Sequence, residues 1–257
     1  MFVRLTSQNI SRHQERLEEF ETLFRYPLGE DEFTISHGKN YLGFIERIGP
    51  HVTYFGEHEG KIISIGAGTI SRRHKAWYLC DMKVHPEHRG KGIPRKLFSR
   101  YFFFNYLKCR RGFALNMVSA DGKKNPIVKI MENFPWTPLK VGTKLNFYYE
   151  DHANTLDALK ILGRPNPHFS SLAGKKDLVL KSSGAPIPLL HLEWGVKAFD
   201  FASVEPQPGK LHMWCEPEGS EASANLTKKN IHPKATGLIF HHGMDKFNWK
   251  ELRTSEL

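Results

Sequence analysis

The chain has 257 residues, 40% of them hydrophobic with 18 Phe, 8 Tyr and 5 Trp, which suffices for a packed core and excludes wholesale disorder. No apolar run approaches the roughly 20 residues that a membrane-crossing helix needs, and the opening MFVRLTSQNISRHQ lacks the long apolar centre of a signal peptide. Lys and Arg number 37 against 27 Asp and Glu, and the net charge of +10 draws anionic partners without choosing among nucleic acid, a membrane surface and a phosphorylated cofactor.

In chain order, residues 2–5 read as a short strand. Residues 11–24 read as an amphipathic helix, with Leu17, Phe20, Leu23 and Phe24 three or four apart. Residues 26–50 are mixed and broken by Gly and Pro, and carry no assignment. Residues 51–57 and 61–71 are β-rich and joined by His58-Glu59-Gly60, the pattern of a hairpin. A strand follows at 76–84 (AWYLCDMKV). A helix follows at 93–107, with Pro94 in its first turn, where a missing N–H costs nothing. Residues 113–119 read as a strand, 126–133 as a short helix and 144–150 (KLNFYYE) as a strand. This order predicts an α/β (α+β) fold, a mixed central sheet flanked by helices.

Beyond a helical stretch at 156–162, Gly163-Arg164-Pro165-Asn166-Pro167 reads as a linker. Short strands are expected at 178–181, 189–194, 210–214 and 236–241, with one long Pro-, Gly-, Ser- and Lys-rich loop at 216–234. The expected division is a first domain at 1–163 and a smaller β-rich C-terminal region at 164–257, of unknown role. Cys80, Cys109 and Cys215 are far apart and form no CxxC, so they read as reduced thiols and point to a soluble, cytoplasmic chain.

The most informative stretch is VHPEHRGKGIPRKLF, residues 84–98. A strand ends, a turn with two glycines follows, and a helix begins. The first turn of a helix presents free N–H groups and the positive end of its dipole. Glycines let main chain approach a ligand closely. Together they form a cradle for a phosphate or diphosphate, rimmed here by Arg89, Lys91, Arg95 and Lys96. No Ser or Thr follows as in GxxxxGK[ST], and Arg95 stands where GxGxxG needs its third glycine, so neither nucleotide fingerprint is met.

Arg89-Gly90-Lys91-Gly92-Ile93-Pro94 follows the order R-x-x-G-x-(G/A) except at its last place. With the preceding Tyr78-Leu79-Cys80-Asp81-Met82-Lys83-Val84-His85-Pro86-Glu87-His88, it resembles the signature of the GNAT family of acyl-CoA-dependent N-acyltransferases. The element order resembles that fold over about residues 1–150, and Asn125, opening a short helix, is a second family mark. The resemblance implies an N-acetyltransferase that uses acetyl-CoA as cosubstrate, with no metal, and an amine-bearing acceptor of unknown kind. It implies that main-chain N–H groups of Arg89, Gly90, Lys91, Gly92, Ile93 and Arg95 hold the coenzyme's diphosphate. Main-chain groups of Met82, Lys83 and Val84 would pair with the pantetheine arm as an added strand, with Asn125 near its end. Pro94 is a departure that removes one N–H donor.

Acyl transfer needs a base for the amine, a donor for the oxyanion and an acid for the thiolate. Asp81, on the central strand, is the leading base, acting through a water, ahead of Glu57 and His85. A main-chain N–H near Met82 is the expected oxyanion donor. The tyrosine that the family places in the helix after Asn125 is Glu132 here, so Tyr148 or Tyr149 on the next strand is the candidate acid; the plainer role for both is sheet packing. His85 and His88 are spaced as HxxH, but no third ligand joins them. Two rivals stand beside the enzyme. One is a degenerate coenzyme-binding or partner-binding module, which Pro94 and Glu132 favour. The other is a nucleic-acid-binding protein, for which charge speaks but no motif does. The strands after residue 167 could cover the acceptor cleft or form a homodimer surface.

Overall fold

The computed structural model describes residues 1–118, 126–132 and 139–257. The elements in chain order are β1 (Phe2–Leu5), α1 (Gln14–Glu21), β2 (Tyr26–Leu28), β3 (Asp31–Ser36), α2 (Gly43–Ile48), β4 (His51–His58), β5 (Lys61–Ile70), β6 (Trp77–Val84), α3 (Ile93–Lys108), β7 (Gly112–Met117) and α4 (Pro126–Glu132). They continue with β8 (Lys140–Glu150), α5 (His152–Leu162), β9 (His168–Ser170), β10 (Asp177–Leu180), β11 (Leu189–Glu193), β12 (Phe201–Ser203), β13 (Leu211–Pro217), α6 (Glu221–Lys228) and β14 (Ala235–His242). The mixed α/β architecture expected from the sequence is the one observed.

Eleven of the described strands form one sheet, in the order β1-β4-β5-β6-β7-β14-β8-β13-β11-β9-β12, and β10-β3-β2 form a second. Neighbours in the large sheet run antiparallel except β6 with β7 and β11 with β13, which are parallel. The alternation is therefore palindromic about the β14–β8 pair. Outward on either side come one antiparallel neighbour, a parallel pair and further antiparallel strands. Each half also crosses a helix at the same place, β7-α4-β8 in the first and β13-α6-β14 in the second. The two strands that follow those helices are exchanged, so that β14 lies on β7 and β8 lies on β13. The expected boundary at residue 163 falls between α5 and β9, and strands on both sides of it share the large sheet.

The hydrophobic pattern assigns the faces. Leu17 and Phe20 of α1 and Phe44, Ile45 and Ile48 of α2 pack with Phe55, Ile65, Ala67 and Tyr78. Ile93 and Leu97 of α3 pack with Val84 and the partly buried Met82 and Ile63. In the second half, α5 and α6 contribute Ala158, Leu162 and Leu226 to a separate core around Tyr148, Phe169 and Trp214. Residues 252–257 run back across the first core, with Leu252 and Leu257 inside it.

The structure corrects several expectations. The stretch expected to be a loop at 216–234 ends β13 and then forms α6, capped by the Ser220 hydroxyl, which accepts from the Ser223 N–H. Residues 26–50, left unassigned, hold β2, β3 and α2. The strand expected at 144–150 starts earlier, at Lys140. The helix expected at 156–162 starts at His152, because Asp151 caps it by accepting from the Asn154 N–H.

Candidate active site

β6 and β7 carry the central geometry. Their pairing covers Trp77 with Gly112, Tyr78 with Phe113 and Leu79 with Ala114. The Tyr78 and Phe113 rings stack across it, with centroids 4.7 Å apart. Beyond Leu79 the strands part. β6 stays paired to β5 as far as Val84, and β7 stays paired to β14 as far as Met117. Among the described residues no strand covers the β7-facing edge of Cys80 to Val84, which leaves an open slot whose walls carry main-chain donors and acceptors.

A β-bulge sits at the mouth of this slot. Ala67 pairs with Asp81 and Gly68 with Leu79, so Cys80 is the extra residue. A bulge leaves a peptide unpaired and turns the strand. It also resets which residues face which side. Tyr78 and Cys80 pack toward the α1 side, and beyond the extra residue Asp81 and Lys83 take up that side while Met82 packs opposite.

On the α1 side the charged residues close on one another. Lys83, almost completely buried, donates to Glu21 Oε2 at 2.5 Å and to Asp81 Oδ2 at 3.3 Å. The Tyr41 hydroxyl contacts Asp81 Oδ2 and lies 3.2 Å from Glu21 Oε1. The His37 ring lies 4.4 Å from that of Tyr41. Burial pushes the Glu21 carboxyl up to about 7 against the pull of Lys83. Burial also works to lower the Lys83 ammonium, but Asp81 and Glu21 outweigh it and hold the group well above its ordinary value. Burial, aided by Lys83, lowers the His37 imidazole to about 3, so the ring is neutral. Glu21, His37 and Asp81 bring donor atoms within 4.8 Å of one another, but Lys83 already supplies the cation between the two carboxylates. From the second half, the Lys176 ammonium donates to the Leu257 main-chain oxygen and lies 4.4 Å from the Phe44 ring centroid. Burial lowers Lys176 to about 8. Burial pushes the Cys80 thiol far above its ordinary range, which removes it as a nucleophile.

The slot's other end is the Gly90–Gly92 turn. His85 caps a single turn of 3-10 helix, its Nδ1 accepting from the Glu87 N–H at 3.3 Å. Gly90 and Gly92 have φ of 79° and 71°, and a Cβ at either would meet nothing within 4 Å. They are required for their left-handed conformation rather than for lack of space. α3 then begins at Ile93, with the Lys96 N–H bonding to Gly92 O. Arg89, Lys91, Arg95 and Lys96 are exposed and form no ion pair among the described residues. His58, His85 and His88 group beside them, with centroids 5.5 and 5.7 Å from His88. The arrangement suits an anion at one end of a channel whose other end reaches Asp81.

The residues singled out from the sequence thus divide. Asp81, Met82, Lys83 and Val84 line or flank the slot, and Arg89, Gly90, Lys91, Gly92, Ile93 and Arg95 form the turn at its end. Asn125 lies outside the described residues. Tyr148 and Tyr149 are not brought to the slot, because β14 and β7 stand between β8 and β6. Tyr148 is fully buried against Trp214 and bonds to Ser223, while Tyr149 packs in the small core around Leu28 and Phe33. Glu57 is tied to Arg16 at 2.8 Å at the hairpin end. Sequence reasoning missed Glu21, His37 and Tyr41. The one available signal was the charged pair Asp81 and Lys83 inside a strand otherwise rich in apolar residues.

Residues 14–116 match the model of the acetyltransferase (GNAT) family. Among curated proteins no match is found. Among solved structures, a tandem GNAT protein from the clavulanic acid biosynthesis pathway is similar over 94% of this chain and 97% of its own, at TM-score 0.51 and 10% identity. The ribosomal-protein-S18-alanine N-acetyltransferase from Escherichia coli is similar over 70% of this chain and 90% of its own, at TM-score 0.39 and 11% identity. A protein described as an acetyltransferase of the GNAT family from Desulfovibrio desulfuricans is similar over 37% of this chain, which spans 59% of that protein, at TM-score 0.32 and 14% identity. The likeness to the tandem protein is one of fold.

Proposed function

We propose, on the premise that residues 14–116 belong to the GNAT acetyltransferase family, that the chain moves an acetyl group from acetyl-CoA to an amine. The observation that carries this reading is the slot between β6 and β7, open from Cys80 to Val84 and ending at the Gly90–Gly92 turn. Main-chain N–H groups of Arg89, Gly90, Lys91, Gly92, Ile93 and Arg95 would hold the diphosphate, as helix N-termini hold anions, with Pro94 giving none. The pantetheine arm would lie along Met82, Lys83 and Val84 as a short added strand. That position sets the thioester carbonyl at the bulge, where an N–H left free of β5 would stabilise the oxyanion. Asp81 faces the side away from α3 and would take the amine's proton, directly or through a water.

Titration with acetyl-CoA followed by hydrogen exchange tests the coenzyme site. Amides of residues 80–84 and 89–95 should gain protection, and no gain in either segment would refute it. Gly92→Glu should abolish binding, since it sets a carboxylate in the diphosphate seat and strains a residue whose φ is 71°. A second reading, a module that binds the coenzyme without turnover, is favoured by Pro94 and by Glu132, which is exposed on α4 where the family carries a tyrosine. Thiol release across a panel of primary amines separates the two: binding without release selects the module.

A further inference from the structure

The Tyr41 hydroxyl carries one proton, yet two carboxylates lie within its reach, Asp81 Oδ2 and Glu21 Oε1. A phenol donates only once. With both carboxylates ionised, one contact would set two lone pairs against each other at the fully buried Tyr41 hydroxyl, where unmatched polar contacts are costly. The arrangement is satisfied throughout only when one carboxyl holds a proton of its own. The chain of bonds then runs from Glu21 to Tyr41 to Asp81, or reverses as a unit. Asp81 is the exposed end, on the strand that borders the slot, and Glu21 is the closed end, on α1. No water is needed to connect them.

We infer that Asp81, Tyr41 and Glu21 form a proton relay that lets a single base at the slot take both protons an acceptor ammonium must lose. The inference rests on the reading of the slot as an acetyl-transfer site. In the working form, above about pH 7, Glu21 and Asp81 are both ionised. In the first step Asp81 takes one proton from the ammonium, and that proton relieves the unmatched contact at Tyr41. The Asp81 O–H then donates to Tyr41, whose own proton passes to Glu21, and Asp81 is ionised again. The freed amine attacks the thioester carbon, the C–N bond forms and the C–S bond breaks. Asp81 takes the second N–H proton and returns it to the thiolate, giving the thiol. After the products leave, the proton on Glu21 returns along the same bonds to water.

The surroundings suit this role. Glu21 is faced by Lys83 and Asp81 from β6, by Tyr41 and His37 from the segment between β3 and α2, and by Tyr26 from β2, with Cys80 and Lys176 close by. Lys83 lies between the two carboxylates and balances one charge wherever the proton sits. His37 is neutral and offers no competing charge. The Glu21 carboxyl, held near 7 chiefly by its burial, can both accept and release a proton at neutral pH.

Tyr41→Phe and Glu21→Gln test the relay, with thiol release measured using whichever primary amine turns over fastest. Both variants should keep acetyl-CoA affinity by calorimetry while kcat falls by about 100-fold, the scale of general acid–base assistance. The ionisation near 7 in the wild-type kcat profile should vanish in both. An unchanged profile in either variant would overturn the relay, since a purely structural role would not move it. Infrared difference spectra across the same pH range provide a readout independent of turnover. The wild type should show a protonated-carboxyl band that disappears as pH rises through Glu21's value and is missing in Glu21→Gln. If the wild type lacks that band the relay is refuted, even where coenzyme binding is intact. Loss of coenzyme binding by the wild type itself would instead strike at the acetyl-transfer reading.

Discussion

At Gly112 an added Cβ would lie 1.9 Å from Trp77 Cε2, because the indole lies flat on the glycine where β6 and β7 meet. Gly112→Ala should therefore cost about 1–3 kcal/mol, the usual penalty for overfilling a packed site. It should also weaken coenzyme binding by prising the strands apart at the root of the slot, and thermal melts with and without acetyl-CoA would separate the two effects. Titration acts at this scale too. Glu21 is raised in the folded chain from 4.5 to about 7, so between those values the unfolded chain has lost a proton that the folded chain keeps. Its contribution is intact below about pH 4.5 and is lost as pH rises toward 7, a difference of roughly 3 kcal/mol. His191, lowered by burial to about 3, works in the opposite sense, and its contribution is lost as pH falls below 6.5. Chemical denaturation of Glu21→Gln across this range should show a flatter rise toward acid than the wild type, and an identical slope would contradict the assignment. Gly90 and Gly92 were legible in the sequence because a left-handed turn before a helix admits few other residues. Tyr41, His37 and Glu21 were not, because their roles depend on three separate segments closing over Lys83.

α6 shows what an element requires. Ser220 caps it, Ala222 and Leu226 pack on the second core, and Ser223 bonds to Tyr148. Ser220→Ala should cost about 1 kcal/mol of stability, as loss of an N-cap does, with the coenzyme site unaffected because α6 lies against β13 rather than β6. Equal loss of coenzyme affinity would show that the two halves are coupled. In sequence, α6 is concealed by Pro217, Gly219 and Lys228–Lys229, whose turn and surface character outweighs a short apolar stripe. β6 and α3 were read to within a residue or two at their starts, since an apolar strand and a proline-started helix are strong local signals. The bulge at Cys80 left no such mark. It depends on the register against β5, which no single strand encodes.

Across the whole molecule, the order of strands in space departs most from their order in the chain. The expected split at residue 163 follows local composition, a Gly-Arg-Pro-Asn-Pro stretch between two regions of different texture. Pairing between distant strands is invisible to that kind of reading. β14, formed by residues 235–242, pairs with β7 on one side and β8 on the other. A fragment of residues 1–163 should therefore be unfolded or aggregated by circular dichroism and light scattering, whereas adding residues 164–257 as a separate chain should restore structure. A soluble, folded 1–163 fragment would show that the first half closes without its partner strand.

The central position of β14 also bears on how the protein is made. A ribosome delivers residues 112–150 long before residue 242, so β7 and β8 must wait with raw edges while nearly a hundred more residues emerge. The nascent chain is thus most vulnerable to mispairing late in its synthesis, and a chaperone that shields those two edges would serve it better than one acting on the finished protein.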